Sequence, residues 1–462
     1  MIQRFEVPGL AHYSYVVASQ GRAVVIDPKR DVDTYLEYAE RHGLQITHVV
    51  ETHIHADYAS GATALSQAAG AELWLSGHDE GEEFAYQFPH HPFRNGEELM
   101  VGDLRLVAIH TPGHTPEHLS FLLYDRTRCG QPLALFTGDF IFVGSLGRPD
   151  LLGEAVKRRL AEALYESVHN RVKMLPDGLE LYPGHGAGSL CGAGIAERPH
   201  STLGYERFCN IFMAGLSKEE FVETILRTVP PFPGYYRRMK QINSEGPKLL
   251  ETIPGGRGLS VQEFREWMER IHPVIVDLRR PEAFGGAHIP GALNIGWGPN
   301  LSLWAGWVAP SDRPILLVGD ENTDIEQARR SLIRVGLDDV RGYLKGGMRS
   351  WIEAGFEQAH LAQQSVQELA AKLAQKPFIL DVRSPAEWKA GHIPGAVHIP
   401  AGELRGRASE VPTDVPVHVV CGSGYRSSIA SSLLAGLGLK NLINIVGGMA
   451  AWTAQQLPVE RS

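Results

Sequence analysis

Residues 46–58 read ITHVVETHIHADY, and this stretch decides how the N-terminal half of the chain folds. An apolar, β-branched run from Ile46 to Val50 gives way to His53, His55 and Asp57. The run suits a buried strand, and loops at strand ends gather chemistry on a rigid support. Two imidazoles and a carboxylate leaving one strand end are a strong metal signal, because these ligands suit Fe(II), Zn(II) and Mn(II).

The pattern recurs outward from this point. From Tyr13 to about Leu190 the runs YSYVVAS, AVVIDP, ELWLS, LRLVAIH, LALFTGD and LELYPGH alternate with helix-like or turn segments. They predict a layered α/β or αββα domain. His114 in TPGHTPEH, Asp139 in LFTGDF and His185 in YPGHG fall at later strand ends, so these ends are expected to converge on one site. Any one of these histidines alone reads as an ordinary loop or core residue; the set does not. His42, His48, His90, His91, His169 and His200 lack such a motif and read as surface or packing residues.

A chain of 462 residues with 43% hydrophobic content is long enough for about three domains. Its net charge of −9 comes without a long Lys/Arg block, which argues against a nucleic-acid groove or an anionic membrane surface as partner. No segment reaches the ~18 continuous apolar residues of a membrane span, and the first twenty residues lack a basic patch before an apolar stretch. A cytoplasmic protein is expected. Cys129, Cys191, Cys209 and Cys421 make neither a disulfide framework nor a CxxC knot. The first three read as packing or incidental thiols.

Beyond the Pro/Gly-punctuated joint PKLLETIPGGRG the sequence repeats itself with a period of roughly 103 residues. VIVDLRRPEAFGGAHIPGALNI (274–295) matches FILDVRSPAEWKAGHIPGAVHI (378–399), and LKGGMRSWIEAG matches IVGGMAAWTAQQ. Each copy has a buried strand ending in Asp-Leu/Val-Arg, a turn, and a later strand leading into a helix, as in an open parallel α/β sheet. The expected domains are therefore 1–250, 255–360 and 365–462.

In the last copy VHVV runs into Cys421-Gly422-Ser423-Gly424-Tyr425-Arg426-Ser427-Ser428 and then a helix-like stretch. A cysteine at such a strand-to-helix turn is a candidate nucleophile: small residues let backbone N–H groups point at the sulfur, and the helix start favours thiolate. Gly319 occupies the matching position of the middle copy, followed by Asp320, Glu321 and Asp324, which would repel an anionic substrate. That copy is expected to be catalytically silent and structural.

HxHxDx, PGHTPEH, TGD and YPGHG in this order resemble the metallo-β-lactamase superfamily over roughly residues 1–250. Within it, GDFIFVGSLGRPDL and TPGHTPEHLSF resemble the persulfide dioxygenase branch more than glyoxalase II. The resemblance implies a mononuclear Fe(II) held by His53, His114 and Asp139, and oxidation of a thiol persulfide by O2 to sulfite. His55, Asp57 and His185 would orient these ligands. Superfamily members usually carry histidine after the aspartate, as a ligand to a second metal; Tyr58 stands there, which disfavours a dinuclear hydrolase and leaves its own role open. Arg148 aligns with an arginine near the family's thiol-substrate pocket, but would equally brace its loop by pairing with Asp150.

The CxxGxR loop with DVRSPAEW and GHIPGA resembles the rhodanese family over about residues 365–458. That implies a persulfide carried on Cys421, a cradle from the main chain of Gly422, Ser423, Gly424 and Tyr425, and Arg426 holding either the loop or an anionic sulfur species. The expected partners are thus a small thiol persulfide, O2, and sulfite or thiosulfate, with a homo-oligomer left open. Two rivals stand beside this: a zinc-dependent glyoxalase II-like thioester hydrolase fused to a sulfurtransferase, and a non-enzymatic sulfur carrier or sensor.

Overall fold

The computed structural model describes residues 1–230, 232–250 and 256–461; residues 251–255 of the joint PKLLETIPGGRG lie outside the described residues. The chain divides into two compact units, Met1–Ile253 with Ile333–Gly336, and Pro254–Leu332 with Leu337–Ser462. No described helix is long and apolar enough to cross a membrane.

In the first unit, strands β1 (Ile2–Val7), β2 (His12–Ser19), β3 (Arg22–Ile26), β4 (Gln45–Val50), β5 (Glu72–Ser76) and β6 (His91–Phe93) form one mixed sheet in sequence order. A second sheet holds β7 (Glu98–Val101), β8 (Leu104–His110), β9 (Leu119–Asp125), β10 (Pro132–Gly138), β13 (Glu180–Pro183) and β14 (Ser201–Thr202), in the order β14-β13-β10-β9-β8-β7. A small hairpin of β11 (Ile141–Phe142) and β12 (Ser145–Leu146) lies between β10 and β13 in sequence.

Side chains alternate across these strands, and both faces are apolar because both are covered. Tyr15, Val17, Val24, Ile26 and Val50 meet Leu106, Phe121, Leu123 and Phe136 between the sheets. Val16, Val25 and Val49 face outward onto Tyr35, Tyr38 and Leu65. On the other side Leu122, Leu135 and Leu181 pack against Ala161, Leu164, Phe221 and Ile225. The result is the expected helix–sheet–sheet–helix sandwich.

Register decides where the strand ends meet. β3 and β4 are parallel with Ile26 opposite Val50, so Asp27 emerges beside the HIHAD loop. β10 and β13 are parallel with Gly138 opposite Pro183, so Asp139 and His185 leave the second sheet side by side. A bulge between Phe136 and Gly138 bends the end of β10. Gly138 has φ +50°, and a Cβ there would lie 2.8 Å from His118 Nε2, so no other residue fits both the turn and the space.

The second unit contains the repeat as two five-stranded parallel sheets. The first has β15 (Gly258–Leu259), β16 (Val274–Asp277), β17 (Leu293–Asn294), β18 (Ile315–Val318) and β19 (Val340–Leu344), ordered β15-β19-β18-β16-β17. The other has β20 (Ala362–Gln364), β21 (Phe378–Asp381), β22 (Val397–His398), β23 (Val417–Val420) and β24 (Leu442–Ile445), in the equivalent order β20-β24-β23-β21-β22. In both copies the Asp-x-Arg motif is a brace. Arg383 pairs with Asp381 and donates to the Gly391 carbonyl, and Arg279 pairs with Asp277 and donates to the Ala287 carbonyl, pinning the turn that follows.

Candidate functional site

His53, His114 and Asp139 come together from three different strand ends, with one ligand-type atom of each within 4.8 Å of the others. His114 Nε2 lies 3.4 Å and His53 Nε2 3.8 Å from Asp139 Oδ2. All three residues are at most 1% exposed, and among the described residues these three atoms have no hydrogen-bond partner. Buried polar atoms left without partners cost free energy. Three of them converging on one point is what a cation would resolve.

The opposite side of each ligand is occupied. His114 Nδ1–H donates to the Arg148 carbonyl at 2.9 Å, which leaves Nε2 as a lone pair. Thr52 donates through Oγ1 to Asp27 and therefore accepts from His53 Nδ1–H at 2.9 Å, with the same consequence for His53 Nε2. Asp139 Oδ1 accepts from His185 at 2.7 Å, and its backbone N–H donates to His118 Nε2 at 3.1 Å, leaving Oδ2 directed into the cluster. Burial, reinforced by neighbouring imidazoles, holds both His53 and His114 far below the usual histidine range, so both are neutral donors.

Around these ligands the remaining residues singled out in the sequence form a supporting layer. His185 bridges Asp139 and Asp57 at 2.7 and 2.8 Å. Burial opposes a charge on this ring, but the two carboxylates prevail and raise it well above the ordinary range. His55 bonds Asp27 at 3.2 Å, and the Tyr58 hydroxyl donates to the Asp27 carbonyl at 3.2 Å with its ring against His12. From the helix Tyr236–Glu245, Lys240 donates to the Ile54 carbonyl, and Asn243 donates to the carbonyls of His55 and Tyr58. The HIHADY loop is thus fixed from both sides.

Arg148 has the bracing arrangement weighed in the sequence. It is 1% exposed, chelates Asp150 at 2.7 and 2.8 Å, and donates to the carbonyls of Leu190 and Pro230. Its carbonyl, held by this packing, is the partner of His114. Cys191, given no role from sequence, is buried with Asp57 and His185 in a second cluster of ligand-type atoms. Burial, with the Asp57 and Asp139 carboxylates, holds its thiol protonated well above the usual range. Cys129 and Cys209 are exposed. Asp27 and His118 were not singled out in the sequence, although VVIDP and TPGHTPEH each place an ionisable residue at a strand or turn end.

In the second unit Cys421 is fully buried at the end of β23, and its sulfur accepts from the Gly424 N–H at 3.1 Å and the Ser427 hydroxyl at 3.3 Å. The repeated GGM motif explains the loop's shape. Met449 and Ala450 N–H groups take the carbonyls of Cys421 and Gly422 at 2.7 and 2.9 Å, turning those oxygens away and leaving N–H groups to the sulfur. Arg426 holds the loop: it forms a two-pronged pair with Glu387 at 2.7 and 2.6 Å. Glu387 also closes a capping box with Ser384. Sequence reasoning passed over it because its partner lies in a distant segment.

Burial would raise the Glu387 carboxyl, but the Arg426 guanidinium overrides this and brings it to about 2. A depressed acid stabilises the fold above its unfolded-state value and loses that contribution as pH falls toward the folded one. Glu387→Gln is therefore expected to lower the melting temperature by a few degrees at pH 7, with the gap to the parent closing near pH 2–3. Parallel thermal melts at the two pH values check this; a gap that stays constant contradicts it.

The copy without a cysteine uses its acids locally. Asp320 accepts from the Asn322 N–H and the Thr323 hydroxyl, and Asp324 caps the following helix through the Gln327 N–H. Gly319 offers no side chain at the position of Cys421.

A two-sheet sandwich with histidines and aspartate gathered at its strand ends defines a metal-binding domain of the metallo-β-lactamase type. The chain matches the metallo-β-lactamase superfamily over residues 7–185 and the rhodanese-like domain over residues 260–354 and 365–455. The crystal structure of a metallo-β-lactamase from Staphylococcus aureus subsp. aureus COL is 35% identical, covers 74% of this chain and 98% of its own, and superposes with a TM-score of 0.66. The chain belongs to the metallo-β-lactamase superfamily and carries two rhodanese-like domains after the metal domain. It is 27% identical to a beta-lactamase hydrolase-like protein of Agrobacterium fabrum across 55% of this chain, and spans 63% of that relative's length. It is also 29% identical to the mitochondrial persulfide dioxygenase ETHE1 of Bos taurus, over 45% of this chain and 78% of that one.

Proposed function

We propose that the N-terminal unit oxidises a low-molecular-weight thiol persulfide with O2 at a single Fe(II), and that the last rhodanese domain moves sulfane sulfur through Cys421. The donor set carries this proposal. Among the described residues His53 Nε2, His114 Nε2 and Asp139 Oδ2 are unpartnered and converge on one point; Asp57 Oδ1 is unpartnered too, but beside it His185 is engaged through both ring nitrogens and Tyr58 stands in place of a nitrogen donor, which favours one metal over two. Two histidines and one carboxylate suit a non-haem iron centre with open positions.

Iron(II) held by these three residues supplies the redox chemistry with O2 that no side chain offers. The protein's part is to keep both imidazoles neutral, to aim the carboxylate, and to hold the HIHADY loop still through Asp27, Lys240 and Asn243. The overall reaction RSSH + O2 + H2O gives RSH and sulfite with two protons. In the rhodanese domain, sulfite attacking the outer sulfur of a Cys421 persulfide breaks the S–S bond, releases thiosulfate and returns the Cys421 thiolate. Gly424 N–H and the Ser427 hydroxyl receive that negative charge. Run in reverse, the same step generates persulfide. Similarity to a persulfide dioxygenase supports this assignment.

The test is O2 consumption by anaerobically iron-loaded protein given a thiol persulfide, beside thioester hydrolysis by the zinc-loaded form. Persulfide-dependent uptake with sulfite or thiosulfate as product is expected. No uptake, with hydrolysis by the zinc form, overturns the iron assignment in favour of a hydrolase.

A further inference from the structure

Within the second unit, the cysteine-less copy reaches across to the helix that begins beside Cys421. Asn294, at the end of β17, is 1% exposed, and its side-chain N–H groups donate to the carbonyls of Asp277 and Arg279 in its own copy. Its Oδ1 accepts from the Ser428 hydroxyl at 2.6 Å, and its backbone N–H donates to Ser432 Oγ at 3.0 Å. Two residues on, the Gly296 carbonyl accepts from the Tyr425 hydroxyl at 3.0 Å. A Cβ on Gly296 would lie 3.1 Å from the Tyr425 ring, so glycine is what lets that ring settle on the backbone.

The repeat supplies an internal comparison. His398 takes the matching position in the last copy and also bonds a carbonyl of its own copy, that of Arg383 at 2.8 Å. The local bond is therefore common to both copies, while the bonds from Asn294 to Ser428 and Ser432 belong to the contact between them. They account for Ser428 and Ser432, two of the buried serines on this helix.

The receiving residues are those that shape the sulfur's surroundings. Tyr425 follows Gly424, whose N–H meets Cys421 Sγ, and Ser428 follows Ser427, whose hydroxyl meets it too. We propose that the cysteine-less copy is a working part of the sulfurtransferase site, in which Asn294 and Gly296 position the loop and helix start that donate to the Cys421 sulfur. This rests on the assignment of Cys421 as sulfur carrier. Asn294 is a positioning residue: it acts through Ser428 and touches no reacting atom. If these contacts are lost, the helix start relaxes, both donors move off the sulfur, and the thiolate is less favoured.

The experiment compares the full-length parent with Asn294→Ala, Tyr425→Phe and Cys421→Ser, following thiosulfate-to-cyanide sulfur transfer across pH. Asn294→Ala is expected to lower kcat about tenfold, with KM for thiosulfate changed less than about twofold, and to shift the acid limb of the kcat/KM profile upward by about one pH unit. Tyr425→Phe removes one oxygen atom, which keeps the test meaningful if the alanine variant folds poorly, and it should move both quantities the same way by a smaller amount. Unchanged kcat in both variants overturns the proposal, as does a lower melting temperature with an unmoved pH limb, the signature of a merely structural contact. Full transfer activity in Cys421→Ser overturns the sulfur-carrier assignment instead.

Discussion

His114→Ala is expected to lose iron and, with it, persulfide-dependent O2 uptake, by more than about 100-fold. Groups that merely orient a ligand cost about 10–100-fold in metal affinity when removed, so deletion of a direct nitrogen donor belongs above that range. The same change frees the Arg148 carbonyl, whose partner is His114 Nδ1–H, and leaves Asp139 Oδ2 facing one imidazole instead of two. Both effects act on the same centre. Iron content by elemental analysis and uptake at an oxygen electrode read the loss, and far-UV circular dichroism of the same sample separates it from unfolding. Iron and uptake at parental levels would remove His114 from the ligand set.

Cys421→Ser, in contrast, is expected to leave O2 uptake in place and change the product from thiosulfate to sulfite, with sulfur transfer reduced by about a thousandfold or more. Serine keeps the shape of the loop and its bonds to Gly424 and Ser427, but an alkoxide is far less accessible than a thiolate at neutral pH. The middle copy is the chain's own version of this experiment: its loop closes, its Asp277–Arg279 brace is intact, and Gly319 leaves nothing to carry sulfur. Thiosulfate produced at the parental rate by the serine variant would mean that another group receives the sulfur.

What could be read from the sequence was whatever is local. Alternating apolar runs marked β2, β3, β4, β5, β8, β10 and β13, and the period near 103 marked two copies that share one strand order. β9 was passed over: LSFLLYD follows directly on the PGHTPEH motif and is apolar on nearly every residue, because both its faces are buried in the centre of the second sheet. The clustered histidines and aspartates were legible because several of them crowd into short motifs. Asp27, His118, Glu387 and Asn294 were not, since each acts on a residue that only register or packing brings near. Arg148 illustrates the limit of motif alignment, because a guanidinium aligned with a substrate pocket and one folded onto Asp150 look the same in one dimension.

The three unpartnered atoms at the metal centre also have a thermodynamic meaning. A cation that binds only the folded form adds RT ln(1 + [M]/Kd) to its stability, about 1.4 kcal/mol for each tenfold rise in free metal above Kd. The robustness of the N-terminal unit is therefore set by its surroundings as well as by its sequence. A chelator acts on it as a denaturant without touching a single apolar contact, and a cell starved of the metal holds a weaker protein from the same gene.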